Sequence, residues 1–211
     1  MGRPRVLLGD DHRMFSEGLR GILAPHFEVV DTVGNGRELV AAVERLRPEV
    51  VVADISMPLL NGIEAARTLQ KTKTPPKIIF LTMHADPTFA REAFRAGASG
   101  YVLKSSPAAE IVTAIQQAAQ GRVYISPGIA GDLLGTLMDI GSQRKVKVHE
   151  LTPRQREVLQ LIGEGKSLKE IATILNISPR TAEFHKYRIM EVAGVQTIAE
   201  LTRYAVRHGI V

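Results

Sequence analysis

The chain has 211 residues, 45% of them hydrophobic, a formal net charge of +5 and a mean hydropathy near zero. That composition excludes a disordered chain, the lack of cysteine excludes disulfides and thiolate metal sites, and no apolar run approaches the roughly 20 residues of a membrane span. The basic excess is spread along the chain, so charge alone makes no case for nucleic acid, and without a basic leader and apolar core at its start the chain is expected in the cytoplasm with no membrane partner.

Residues 5–9 read as a first strand that runs into Asp10-Asp11. Phe15, Leu19, Ile22 and Leu23 then recur at helical spacing over residues 14–23. A second strand (27–33) and helix (36–46) lead to the run Val50-Val51-Val52-Ala53-Asp54. A helix over 62–69 follows, then a strand ending on Thr82, a helix opened by Pro87, a strand ending on Lys104, and a helix opened by Pro107. Five strands alternating with five helices predict a doubly wound five-stranded parallel sheet, an α/β fold. The strands are rich in Val, Ile and Leu with little alternation, as a sheet covered on both faces requires.

Residues 122–148 are expected to form a linker, because Gly and Pro recur and 142–147 are polar and basic; a short helix is expected within it over 129–138. Beyond residue 149 the pattern is all-helical. Thr152-Pro153-Arg154-Gln155 and Ser167-Leu168-Lys169-Glu170 are capping boxes, while Ser178-Pro179 and Thr197 open two further helices. Gly165, Asn176, Gly194 and Gly209 stand where these helices should stop. The four-helix domain places its second and third helices at helix-turn-helix spacing.

In open α/β sheets, ligands bind outside the carboxyl ends of the strands. Here four strand ends carry Asp10-Asp11, Asp54, Thr82 and Lys104. Asp10, Asp11 and Asp54, with the Ser56 backbone carbonyl, are candidate ligands for a hard divalent cation. Asp54 would accept a phosphoryl group, Lys104 would pair with one of its oxygens and Thr82 would donate to another.

Taken with Met57-Pro58, Asn61-Gly62, Leu81 to Ala85 and Gly97 to Lys104, this spacing resembles the receiver domain of two-component response regulators over residues 4–121, a flavodoxin-like fold. The resemblance implies Mg2+ at the acidic cluster and a sensor histidine kinase as phosphodonor to Asp54. It also implies a switch in which Thr82 moves toward the phosphoryl group and Tyr101 turns into the space it leaves. The face made by the fourth helix, fifth strand and fifth helix would then change its contacts. Haloacid-dehalogenase-type phosphatases also use an aspartate nucleophile, but Ser56 stands where they carry a second Asp. No turnover of an external substrate is therefore expected, only self-dephosphorylation. His84 is a candidate influence on the lifetime of the phosphorylated state.

Leu151 to Leu159, Glu164 to Ser167, Lys169 to Ala172, Ile177 to Thr181 and Phe184-His185-Lys186 resemble the LuxR-type helix-turn-helix over residues 149–211. The two halves together resemble the NarL/FixJ family of transcriptional response regulators. If residues 179–193 are the recognition helix, Ala182, Ile189 and Val192 form its inner stripe. Arg180, Glu183, Phe184 and Tyr187 would then face double-stranded DNA, with Glu183 suited to a cytosine amino group and Phe184 to a thymine methyl. Lys166, Thr181, Lys186 and Arg188 suit phosphate contacts. Phe184 is open between a DNA role and a core role. Ile198, Leu201, Tyr204 and Ala205 resemble the dimerisation element of such domains, and Tyr204 is equally open to a core role. The expected output is a homodimer favoured by phosphorylation; the alternative is a regulator controlled by a ligand or protein on the receiver face without phosphorylation.

Overall fold

The computed structural model describes residues 2–138 and 151–211 and divides into two compact units, Met1–Ser142 and Gln143–Val211. The first unit holds strands β1 (Arg5–Gly9), β2 (Glu28–Val33), β3 (Val50–Ala53), β4 (Lys77–Thr82), β5 (Ala98–Leu103) and β6 (Tyr124–Ile125). Between and after them lie α1 (Arg13–Leu23), α2 (Gly36–Leu46), α3 (Gly62–Leu69), α4 (Pro87–Arg95), α5 (Ala108–Ala119) and α6 (Pro127–Met138). The sheet is parallel, in the order β2-β1-β3-β4-β5-β6.

Two cores follow from the period of two along each strand. Leu7, Val51, Ile78, Phe80 and Tyr101 point to one face, where they meet α2, α3, α4 and α6. Val6, Leu8, Val50, Val52, Ile79 and Val102 point to the other, against α1 and α5. With both faces covered, near-continuous apolar strands are the only composition that avoids burying unpaired polar groups. The order reverses between β1 and β3, so the crevice at their carboxyl ends lies beside Asp10 and Asp54. A Cβ on Gly62 would come within 2.1 Å of the Asp54 carbonyl oxygen. Glycine at the first position of α3 is what lets that helix start flush against the residue ending β3.

The sheet has six strands rather than five. The sixth, Tyr124–Ile125, and helix α6 occupy residues expected as linker, and Ile129 and Leu133 of α6 are buried against the α4 side of the core. Two residues are too few to carry a strand pattern of their own; the open edge of β5 makes the strand. The flexible linker expected after residue 138 falls largely on 139–150, outside the described residues.

The second unit contains α7 (Pro153–Gly163), α8 (Leu168–Leu175), α9 (Pro179–Ala193) and α10 (Ile198–Arg207). Capping boxes close at Thr152/Gln155, Ser167/Glu170 and Thr197/Glu200, and Ser178 caps α9 by accepting from the Thr181 N–H. Asn176 and Gly194 take left-handed conformations at the ends of α8 and α9. The core is Val158, Leu159, Leu161, Ile171, Leu175, Ala182, Ile189, Leu201 and Ala205. Arg154 reaches from α7 to donate to the Leu175 carbonyl, satisfying one of the open acceptors at the end of α8.

Candidate functional site

Asp54 directly follows β3, and its N–H donates to the Gly9 carbonyl at 2.8 Å, which ties it to the end of β1. The Lys104 Nζ lies 2.6 Å from Asp10 Oδ2 and 2.6 Å from Asp54 Oδ2, and all three side chains are only 5–6% exposed. One ammonium thus holds two nearly buried carboxylates apart. Burial alone would lower the Lys104 pKa, but hydrogen bonds and attraction from Asp10 and Asp54 outweigh it and hold the amine above its ordinary value. The Lys104 ammonium also sits 4.6 Å from the centre of the Phe15 ring, on α1.

Helix α1 begins at Arg13 with His12 at its N-cap, so Asp11 is not consumed by capping. Asp10, Asp11, His12 and Asp54 each offer a ligand atom, all within 4.8 Å of one another. Three carboxylates at such spacing are a donor set suited to a hard divalent cation. His12 was not foreseen from sequence. Its Nδ1 lies 3.2 Å from Asp10 Oδ1 and 2.9 Å from Asp11 Oδ1, and its backbone N–H donates to Asp10. Its only sequence signal is adjacency to the acidic pair.

Across the pocket, the Ser56 N–H points at Asp54 Oδ1 (3.4 Å), while its hydroxyl is 2.8 Å from His84 Nε2. His84 stacks on Phe89 with ring centres 4.0 Å apart. Burial is the main cause of its lowered pKa, partly opposed by the charges of Asp54 and Asp86. A neutral imidazole therefore bridges the loops after β3 and β4. Thr82 is fully buried at the end of β4, and its Oγ1 accepts from the His84 N–H at 3.3 Å. Tyr101 already lies inside the domain, fully buried, its hydroxyl donating to the His84 carbonyl at 2.8 Å. Burial pushes its phenol pKa up.

In the second unit, Arg180, Glu183, Phe184, Tyr187 and Arg188 of α9 and Lys166 before α8 are exposed, whereas Thr181 and Lys186 are half-buried. Phe184 and Tyr187 are 58% and 57% exposed, which removes Phe184 from the core. Lys186 lies over the Tyr187 ring at 4.1 Å, and Arg188 pairs with Glu191 at 2.6 Å. The inner stripe is Ala182 and Ile189, fully buried, with Val192 half-buried. It also includes His185, which its spacing from Ala182 and Ile189 could have revealed. Burial is the first cause of the lowered His185 pKa, with Arg154 nearby the second.

A histidine whose folded pKa is depressed contributes fully above its unfolded value near 6.5 and loses that contribution as pH falls toward the lower folded value. Amide protection in α7–α9 is therefore expected to weaken between about pH 7 and pH 5. A His185→Leu chain, followed by hydrogen exchange, should lose that part of the pH dependence.

On α10, Leu201 and Ala205 are fully buried against the unit's own core, so they are not available to a partner. A helix packed on α7 spends these positions inward. The large apolar side chains that α10 shows outward are Ile198 and Val206, at 56% and 58% exposed, with Tyr204 half-buried and its ring tilted against that of His208 at 4.0 Å.

No helix among the described residues is long and apolar enough to cross a membrane. The model of the response regulator receiver domain matches residues 6–116, and that of the luxR family of bacterial regulatory proteins matches residues 149–205. The chain is 38% identical over 209 residues to the transcriptional regulatory protein MctR of Rhizobium johnstonii, covering 98% of this chain and 95% of that one. Among solved structures it is similar to the RcsB response regulator of Salmonella typhimurium, with a TM-score of 0.67 and 25% identity over 99% of each chain. It is also similar to RcsB in a structure of two dimers bound to two parallel DNAs, with a TM-score of 0.60 and 25% identity over 97% of this chain and 98% of that one.

Proposed function

Because this chain belongs to the two-component response regulators that join a receiver domain to a LuxR-type DNA-binding domain, we propose that phosphorylation of Asp54 by a sensor histidine kinase controls how its second unit engages DNA. The observation that carries this is the pocket itself: a nearly buried carboxylate at a strand end, one ammonium already 2.6 Å away, and two further acids beside it. The Asp54 carboxylate attacks the phosphorus of a phosphohistidine whose other ring nitrogen carries a proton; the P–N bond breaks as the P–O bond forms, and the electron pair leaves on nitrogen as neutral imidazole. Lys104 then exchanges its contact with Asp54 for a phosphoryl oxygen, and the Thr82 hydroxyl donates to another. Asp10, Asp11 and Asp54, with the Ser56 carbonyl, would hold Mg2+. When bound, that ion supplies the positive charge that offsets the gathering negative charge of carboxylate and phosphoryl oxygens.

The His84–Ser56 contact stands beside Asp54, where it would limit access of water to the phosphoryl group. A His84→Ala chain is expected to lose its phosphoryl group several-fold faster, on the order of threefold to tenfold, in a radiolabel decay measurement. Slower loss or no change would remove this role. The decay is self-dephosphorylation, and the chain turns over no external substrate. Tyr101 is already buried, so the switch is read in the contacts of Thr82 and Tyr101 with the His84 backbone rather than in entry of the Tyr101 ring.

Arg180, Glu183, Phe184 and Tyr187 would read the major groove of double-stranded DNA, while Lys166, Thr181, Lys186 and Arg188 would hold phosphates. The RcsB structure with two dimers on DNA supports a dimeric, DNA-bound output, for which the cytoplasm is the proposed setting. The outward Ile198 and Val206 of α10, with half-buried Tyr204, are the better candidates for a dimer contact in this unit. Lys186→Ala should lower the slope of log K against log salt by about 1, because one fewer phosphate is neutralised. Phe184→Ala should cost about 1–3 kcal/mol at thymine-bearing positions with the slope unchanged. The overall test is DNA binding with and without Mg2+ and acetyl phosphate. Tighter binding on phosphorylation is expected, and equal binding in both states supports control by a ligand or partner instead.

A further inference from the structure

Ser126 sits between β6 and α6 and is 1% exposed, yet it takes no part in the pocket chemistry. Its N–H donates to the carbonyl of Tyr101, and its own carbonyl receives the N–H groups of Ile129 and Ala130 that start α6. Its hydroxyl donates to Glu110 Oε2 on α5 at 2.5 Å and lies 2.8 Å from the hydroxyl of Ser106. Ser126 has one hydroxyl proton, and the carboxylate takes it. Ser106 must therefore donate to Ser126, which gives the chain of bonds a single direction, Ser106 to Ser126 to Glu110. Glu110 also lies near the Tyr124 phenol of β6, where burial first and the carboxylate second push the phenol pKa up.

Ser106 lies two residues beyond Lys104, in a tight turn closed by its N–H on the Leu103 carbonyl at 2.9 Å. Lys104 opens this turn, so the amine that would exchange Asp54 for a phosphoryl oxygen and the Ser106 hydroxyl are carried by one short stretch of backbone. We infer that Ser106, Ser126 and Glu110 form a hydrogen-bonded latch that passes movement of the Lys104 turn into β6 and the start of α6. The inference rests on the reading of Asp54 as phosphoacceptor. The series is anchored on one buried member: losing either neighbour would cost the enclosed Ser126 hydroxyl a partner, which ties Ser106 and Glu110 to it. The recipient is well placed: β6 covers the edge of β5, and α6 packs on the α4 side, so the face expected to change its contacts is already occupied by this segment.

The test is amide hydrogen exchange of the full chain, with and without Mg2+ and acetyl phosphate, read over residues 124–130 beside Asp54 labelling. Wild type should change its exchange there by about fivefold or more on phosphorylation. Ser106→Ala should label to the same extent while its response shrinks to under about twofold, and Ser106→Thr, which keeps the donor, should restore it. Ser126→Ala and Glu110→Gln should behave like Ser106→Ala; Ser106 is only half-buried, so its variant keeps the test intact if the buried ones fail to fold. A Ser106→Ala chain that responds like wild type overturns the latch, as does a wild type that labels but leaves 124–130 unchanged. A wild type that does not label at all overturns the phosphoacceptor reading instead.

Discussion

An Asp54→Asn chain is expected to incorporate less than about 1% of the phosphoryl group that wild type takes from acetyl phosphate with Mg2+, because a carboxamide offers no anionic oxygen to attack phosphorus. The substitution is nearly isosteric, and the amide oxygen still accepts from Lys104, so the loss is chemical rather than structural. Thermal unfolding run in parallel should show a shift of no more than a few degrees. The same chain should bind DNA identically with and without the phosphodonor. Labelling retained on Asp54→Asn would place the acceptor elsewhere. Asp10 and Asp11, the neighbouring carboxylates, would be examined next.

Lys104→Met should have the largest effect on stability. The ammonium stands between Asp10 and Asp54 at 2.6 Å from each, with all three groups almost out of water. Removing one member of a buried charge cluster typically costs about 3–5 kcal/mol, because the remaining like charges lose their compensation. A divalent cation bound at Asp10, Asp11 and Asp54 restores that compensation. Mg2+ at about 100 times its dissociation constant adds about 2.7 kcal/mol. Most, but not all, of the loss should therefore return with Mg2+, measured by urea denaturation. The variant should also bind Mg2+ more tightly than wild type, since Lys104 no longer competes for the same oxygens. A destabilisation indifferent to Mg2+ would mean that lysine and cation do not share a site.

The two halves of the protein differ in how openly the sequence spoke. In the second unit nearly every boundary was legible, because capping is a local matter: Thr152 with Gln155, Ser167 with Glu170 and Asn176 at a left-handed stop are settled within four residues of chain. On α10 the resemblance to a dimerisation element named Ile198, Leu201, Tyr204 and Ala205 together, and only packing separates them: Leu201 and Ala205 are buried in the unit's own core while Ile198 faces outward. In the first unit the strand ends could be read, and with them Asp10, Asp11, Asp54, Thr82 and Lys104. Residues that matter only through what folding brings beside them could not, as with Phe15 against Lys104, or Ser126 against Ser106 and Glu110.

By itself, then, the order of residues determined a doubly wound parallel sheet, a helix-turn-helix unit and the acids and amine of one pocket, because periodicity, caps and strand-terminal side chains are short-range properties of the chain. Tertiary structure alone decided that one lysine bridges two aspartates, that Tyr101 is inside, that Leu201 and Ala205 are spent inward, that residues 124–125 add a sixth strand, and that the helix expected over 129–138 packs its Ile129 and Leu133 on the α4 side of the core. Those outcomes depend on contacts between residues far apart in sequence, where the free energy of burial belongs to the pair and is written in neither partner alone.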